Sequence, residues 1–179
     1  MLSQLPEQAD PRRLCEQGKA FAGSVALRDL PRLTPLLASS EGEAAFTLEF
    51  GKNEEGRLRV LGEVTAELPL HCQRCTQEMR LSVRAAFCLS PVSGPVEAES
   101  LPADYDPLML EDAFLHPMDL VEDELILAIP PAPRHPETEC AVKLTDYQQE
   151  PETEAPKAAE ANPFAVLAEL KRDNNETDT

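Results

Sequence analysis

Three segments in the middle of the chain alternate apolar and polar side chains with a period of two residues. They occupy residues 44–50, 58–70 and 81–89. This alternation is typical of strands that bury one face and expose the other. Because short, turn-like sequences separate the segments, the pattern predicts an antiparallel meander. Within the second segment, Leu61-Gly62 is a candidate bulge.

After these segments the apolar period changes to that of a helix. Residues 117–129 carry an apolar stripe at helical spacing, and Pro130-Pro131 ends it because proline cannot continue a helix. A short strand is also expected over residues 107–110. The predicted fold class is therefore α+β, an antiparallel sheet or meander of four to six strands with one main helix packed on it, followed by an acidic flexible C-terminal tail.

Composition divides the chain into a core and this tail. The 179 residues include 17 prolines, no tryptophan and only 4% aromatic residues. Residues 137–161 contain seven acidic residues against two lysines and show no apolar periodicity. Such a segment cannot bury enough apolar surface to fold. We expect an α+β core domain over residues 1–136, an acidic disordered linker over 137–161 and a short helical motif over 162–172.

The motif at 162–172 has the features of a short helix that is stable only when docked on a protein surface. Its first residues suit an N-cap and the first helical position, and its apolar residues are unusual after a polar linker. A helix of this length is not stable alone. It either docks back on its own domain or lies in the groove of a partner. The candidate partner-binding residues are Asn162, Pro163, Phe164, Val166, Leu167 and Leu170.

Charge narrows the class of partner. The formal net charge is −17, and nucleic acid is bound by Lys and Arg side chains that displace counterions from phosphate. The surface as a whole repels nucleic acid and attracts a basic protein. Arg74, Arg80 and Arg84 form a small basic island, for which a solvated face is the favoured interpretation and direct contact with RNA the alternative.

The expected compartment is the cytoplasm. The chain has no apolar run long enough to span a membrane and no basic start followed by an apolar stretch, so no membrane partner is expected. Five cysteines in a reducing compartment are thiols or metal ligands rather than a disulfide framework.

The sequence Leu70-His71-Cys72-Gln73-Arg74-Cys75 places a CxxC turn between two predicted strands. Cys72 and Cys75 have the spacing of half a structural zinc site, and His135 and Cys140 have the spacing of a second ligand pair. A redox site would have its CxxC at the start of a helix, whereas a strand is predicted here. Two reduced thiols in a turn are the third interpretation, and the residues leave all three open.

Nothing in the sequence identifies an enzyme. It contains no nucleophile motif, phosphate-binding glycine loop or nucleotide fingerprint, and no small-molecule substrate is expected. Glu122, Asp123 and Glu124 are interpreted as a solvated helix face, because no His, Ser or Lys accompanies them. The alternative hypothesis is a thiol- or metal-dependent enzyme, an oxidoreductase or an RNA-processing hydrolase, that uses Cys72 and Cys75.

Three segments carry a resemblance to a known family. They are LHCQRC at residues 70–75, MDLVEDELILAIP at residues 118–130 and NPFAVLAELKR at residues 162–172. Together, and in this order, they resemble the bacterial YceD family, described as large ribosomal RNA subunit accumulation proteins. The resemblance implies a non-enzymatic cytoplasmic factor that supports the synthesis, processing or stability of large-subunit (23S) ribosomal RNA. With the net charge, it favours a basic ribosomal or rRNA-processing protein as partner, with a possible structural zinc.

Overall fold

Five strands form a single sheet in the order β1 (Ala20–Ala26), β2 (Glu43–Lys52), β3 (Leu58–His71), β4 (Glu78–Val92) and β5 (Asp106–Met109). The computed structural model describes residues 5–110 and 114–142. Neighbouring strands are antiparallel except β4 and β5, which are parallel. The fold is α+β with a mostly antiparallel sheet, as predicted.

The meander predicted from the alternating segments is formed by β2, β3 and β4. Its register is continuous through Gly62, which pairs with Leu48 on one side and Phe87 on the other. The predicted bulge at Leu61-Gly62 is therefore wrong. A Cβ atom at position 62 would lie 2.0 Å from Phe87 Cζ, so glycine is required because the aromatic ring covers this backbone.

Three α-helices and two short 3-10 turns complete the described fold. The N-terminal helix begins where the Asp10 carboxylate accepts a hydrogen bond from the Arg12 N–H (2.9 Å), and it ends at Gly18 in the left-handed region. The main helix starts at Pro117, whose missing N–H costs nothing at a helix N-terminus. The helices are α1 (Pro11–Gln17), α2 (Pro95–Glu99) and α3 (Pro117–Leu127), and the 3-10 turns are Leu27–Asp29 and Thr34–Leu36.

The core lies between one face of the sheet and the helices. On β2 the buried and exposed residues alternate as the sequence predicted. Helix α3 packs on β3 and β4, and α1 packs on β2 and β3. Leu27, Leu30 and Leu33, in and around the 3-10 turns, are completely buried. Each such leucine contributes about 1.5–3 kcal/mol of hydrophobic stabilisation.

The polar face assigned to α3 contains one buried residue. Glu122 is only 2% exposed. One oxygen of its carboxylate accepts hydrogen bonds from the backbone N–H groups of Arg32 (2.6 Å) and Leu33 (3.0 Å). The other accepts one from the Arg32 guanidinium (3.0 Å), which also contacts Asp123 (2.6 Å). The prediction of a solvated face is wrong at Glu122, which attaches the loop after the first 3-10 turn to α3.

The described residues all belong to one compact unit. The linker expected over residues 137–161 lies mostly outside the described residues. So do the six candidate partner-binding residues, Asn162, Pro163, Phe164, Val166, Leu167 and Leu170. Within the part of the chain that is described, no helix has both the length and the apolar character needed to cross a membrane.

Candidate metal centre

Two segments far apart in sequence converge at the tip of the β3–β4 hairpin. The ligand atoms of Cys72, Cys75, His135 and Cys140, three thiol sulfurs and one imidazole nitrogen, all lie within 4.8 Å of one another. Cys72 and Cys140 are buried, and Cys75 and His135 are half-buried. The four residues predicted as metal ligands are therefore brought together, and we refer to them below as the Cys/His cluster.

The first pair is positioned by a tight turn between β3 and β4. The Cys72 N–H donates to the Gln77 carbonyl (2.9 Å), and the Thr76 N–H donates to the Cys72 carbonyl (2.8 Å). Thr76 has a φ of 61°, in the left-handed region that a β-branched residue rarely adopts. This reversal of the chain within four residues turns both thiols toward the same point.

The second pair is positioned by the segment that follows α3. Here the Gln73 N–H of the hairpin turn donates to the Pro133 carbonyl (2.8 Å), which ties the segment to the hairpin. A further turn, in which the Cys140 N–H donates to the Pro136 carbonyl (3.1 Å), returns the chain to the same place. The prolines that end the helix thus lead into a segment that delivers His135 and Cys140.

The imidazole of His135 is oriented to offer Nδ1 to the cluster. Its Nε2 lies 3.2 Å from the Glu78 carbonyl oxygen, and because a carbonyl can only accept, Nε2 carries the proton. Nδ1 lies 3.4 Å from Cys75 Sγ. A neutral imidazole in this tautomer has its lone pair on Nδ1, and metal-binding histidines are commonly held in this way by a carbonyl behind the ring.

Backbone donors favour the thiolate form at Cys72. Its sulfur accepts N–H groups from Arg74 (3.4 Å) and His135 (3.5 Å). Burial raises the pKa of Cys72, but hydrogen bonds from the backbone of Cys75, His135 and Arg74 outweigh it and lower the pKa to about 5. A separate hydrogen bond between the His135 side chain and the Cys72 sulfur raises the pKa of the imidazole.

The pKa values of the other two thiols are shifted in opposite directions. The backbone hydrogen bond from Gln77 lowers the pKa of Cys75, whereas burial raises the pKa of Cys140. A divalent cation would stabilise all three thiolates together, because it supplies the positive charge that the buried sulfurs otherwise lack.

The donor set fits zinc. A tetrahedral site with Zn–S bonds of about 2.3 Å separates its sulfurs by about 3.8 Å, and no two ligand atoms of the cluster are more than 4.8 Å apart. Three thiols and one imidazole form a closed set of four protein ligands. Such sets are typical of structural zinc, since a catalytic zinc keeps one position for water or substrate.

The redox interpretation of the CxxC is not supported by its local structure. The residues after Cys75 enter strand β4, so no helix N-terminus stabilises a thiolate there. All five cysteines are free thiols, with Cys15 buried and Cys88 half-buried outside the cluster. Within the described residues, the low pKa of Cys72 arises from the turn and from the approach of His135.

Two features of the site were missed by sequence reasoning. One is the left-handed backbone of Thr76, a position where glycine would have been the recognisable signal. The other is Arg74, whose Nε and Nη1 atoms are buried without a hydrogen-bond partner among the described residues. The sequence groups Arg74 with Arg80 and Arg84 on a solvated face, but Arg74 is half-buried and the other two are exposed.

Comparisons with known proteins agree with the resemblance in the sequence. Residues 60–171 match the model of the family described as "Large ribosomal RNA subunit accumulation protein YceD". A Haemophilus influenzae protein of the same description is 32% identical over 171 residues, which cover 94% of this chain and 97% of that relative. No solved structure matches the chain. The family match includes all four residues of the Cys/His cluster.

Proposed function

The chain belongs to the YceD family of large ribosomal RNA subunit accumulation proteins, and from this premise we propose that it is a non-enzymatic accessory factor in ribosome biogenesis. It would act in the cytoplasm by binding, and would support the synthesis, processing or stability of large-subunit ribosomal RNA. The observation that carries the proposal is the similarity to a relative so described over 94% of the chain.

The partner that best fits this role is a basic protein. A net charge of −17 opposes any direct grip on the ribosomal RNA backbone and favours encounter with ribosomal or rRNA-processing proteins that carry positive charge. The candidate helical motif at 162–172 adds an apolar surface for such a partner. In this proposal, charge brings the two proteins together and the apolar residues hold them.

Zinc would serve as a structural clip at the Cys/His cluster. It would join the β3–β4 hairpin to residues 133–140 and so fix the point from which the C-terminal tail leaves the core. The support for this role is the closed set of four ligands and the orientation of His135 by the Glu78 carbonyl.

Deletion of the gene tests the main proposal. The expected result is a fall in large-subunit ribosomal RNA relative to small-subunit ribosomal RNA, restored by the wild-type chain and measured on total RNA. Undiminished large-subunit RNA in the deletion strain would contradict the proposal.

Removal of residues 162–172 tests the role assigned to the tail. We expect the truncated protein to lose its basic partner in a pull-down and to restore ribosomal RNA poorly. The matched control deletes an equal length of the linker at residues 146–156, which leaves the apolar motif in place. An unchanged partner set and normal RNA levels after removal of 162–172 would contradict the tail proposal.

Substitution of the two CxxC cysteines distinguishes the enzyme alternative from the proposed binding factor. A thiol oxidoreductase or a metal-dependent hydrolase would lose all activity in a Cys72→Ser, Cys75→Ser variant, whereas a binding factor with a structural metal would lose function only as far as it loses stability. Restoration of ribosomal RNA by this variant at reduced growth temperature, where the weakened fold persists, supports the binding role. Failure at every temperature, with the protein shown to be folded, supports the enzyme.

A further inference from the structure

Among the described residues, nothing pairs with the outer edge of strand β1, the first strand of the sheet. The Phe50 N–H donates to the Lys19 carbonyl (2.8 Å), and the Leu27 N–H donates to the Gly42 carbonyl (3.0 Å). These bonds fix which residues point toward β2, because successive residues of an antiparallel strand alternate in direction. In β1, the odd-numbered residues direct their N–H and C=O groups toward β2. Ala20, Ala22, Ser24 and Ala26 therefore direct their N–H and C=O groups away from the sheet.

The two edges of the sheet differ in how they are protected. At the far edge, β5 has only four residues, and two of them are Asp106 and Pro107. Charge, proline and short length are the devices that keep an edge strand from pairing with another chain. Strand β1 has seven residues, reads AFAGSVA and contains no charge and no proline. Its edge is open to pairing in the part of the chain that the structure describes.

A groove runs along the same strand. It has a volume of about 490 Å³, and its apolar lining includes Leu5, Phe21, Phe46 and Met118. Because side chains of an added strand alternate between the two faces of a sheet, every second one would enter this groove. Ala22 and Ser24 also line the groove, and their small side chains leave room for those of the added strand.

We propose that β1 is a docking edge, on which an extended segment of a basic partner protein pairs as a sixth strand. This inference rests on the proposed function and specifies how the partner binds. Main-chain hydrogen bonds to the four outward-facing residues would supply affinity, and the groove would select apolar side chains at alternate positions.

Charge selects a basic partner over a second copy of this chain. Asp29 lines the groove, and Glu43 and Glu49 lie across from the two ends of β1, at Ala26 and Ala20. Lys19 and Arg28 flank the strand, and Arg28 lies 3.9 Å from Asp29. A second copy would bring a further charge of −17 to this edge, which opposes pairing of like with like.

The test compares Ser24→Pro with Ser24→Ala in the full chain. Proline removes the outward-facing N–H at the centre of β1 without removing a hydrogen bond to β2, whereas alanine keeps that N–H. The probe is a labelled eight-residue peptide of alternating lysine and valine, and fluorescence anisotropy measures its binding. A lysine-glycine peptide of equal charge measures binding that depends on charge alone.

We expect the lysine-valine peptide to bind the Ser24→Ala variant as it binds wild type, and to bind Ser24→Pro about tenfold more weakly or worse. The lysine-glycine peptide should bind all three proteins equally. Equal binding of the lysine-valine peptide to Ser24→Pro and Ser24→Ala would overturn the proposal. A wild-type dimer in native mass spectrometry that Ser24→Pro converts to a monomer would also overturn it, in favour of self-association.

A second measurement needs no variant. Hydrogen exchange of the wild-type amides at residues 20, 22, 24 and 26 should be fast in the free protein and slowed by the lysine-valine peptide. Exchange that the peptide leaves unchanged would overturn the proposal even if Ser24→Pro does not fold. If gene deletion lowers large-subunit RNA but Ser24→Pro restores it as well as Ser24→Ala does, the docking edge fails while the proposed function stands.

Discussion

Two polar clusters attach irregular segments to the same core, and they do so by different chemistry. The Cys/His cluster joins residues 133–140 to the β3–β4 hairpin, and the Glu122 carboxylate joins Arg32 and Leu33 to α3. The carboxylate has its cation in the chain, the Arg32 guanidinium. The Cys/His cluster gathers four electron-pair donors, and in the proposed zinc-bound form its strength would depend on a cation taken from solution. We therefore call the attachment at the Cys/His cluster the conditional attachment. The attachment at Glu122, whose cation belongs to the chain, is the built-in attachment.

The largest expected effect comes from breaking the conditional attachment. The Cys72→Ser, Cys75→Ser variant should lose its metal and unfold at a markedly lower temperature. An ion at about a thousand times its dissociation constant stabilises a fold by about 4 kcal/mol, and this is the loss expected at saturating zinc. Native mass spectrometry would report the metal, and thermal unfolding with and without a chelator would report the stability.

The matched control for this variant is Cys88→Ser, which changes a half-buried cysteine outside the cluster. It should keep one zinc ion per chain and remain sensitive to the chelator, whereas the double variant should be insensitive. A freshly purified wild-type protein without metal, or a double variant that retains it, would contradict the assignment of the site.

Breaking the built-in attachment should have a smaller effect. In Glu122→Gln, a single amide oxygen must replace two carboxylate oxygens that accept three hydrogen bonds, and the ion pair with Arg32 is lost. Because Glu122 is buried while the Arg32 side chain is 48% exposed, we expect a loss of about 2–3 kcal/mol. Urea unfolding measures it, and a chelator should leave this difference unchanged.

Asp123→Asn is the control for Glu122→Gln. Asp123 contacts the same guanidinium, but its side chain is 50% exposed, so the expected loss is about 0–0.5 kcal/mol. Equal losses in the two variants would mean that burial does not distinguish the two carboxylates.

The two attachments also differ in how far the sequence could predict them. The four residues of the Cys/His cluster were identified because cysteine and histidine pairs at ligand spacing are rare and specific. Glu122 was placed on a solvated face because helical periodicity locates a residue on its helix and says nothing of a partner elsewhere. That partner, Arg32, is 90 residues away in sequence.

The same contrast holds for the rest of the fold. Strands β2, β3 and β4 could be predicted because burial of one face imposes a period of two along many residues. The parallel pairing of β5 with β4 could not, because four residues are too few to show a period. Gly62 was interpreted as a bulge because the sequence cannot show the ring of Phe87 that covers it.

The smallest effect is expected at Glu124, which lies on α3 two residues after Glu122. Burial raises the pKa of Glu124, and the nearby charges of Asp106 and Asp123 raise it further. A carboxyl whose pKa is raised on folding destabilises the fold when it is ionised, so Glu124→Gln should stabilise the protein at neutral pH. The same substitution two residues earlier, Glu122→Gln, is expected to have the opposite sign, because Glu122 has hydrogen-bond donors around it.

The gain at Glu124 should be small, about 0.5 kcal/mol or less, because solvent screens this half-buried group. It should also depend on pH. As pH falls through the raised pKa, the wild-type carboxyl becomes neutral in the folded state, and the advantage of glutamine disappears. Urea midpoints at neutral and acidic pH measure this difference. A loss of stability in Glu124→Gln at neutral pH would mean that this carboxylate has a favourable partner and that the two positions on α3 are alike.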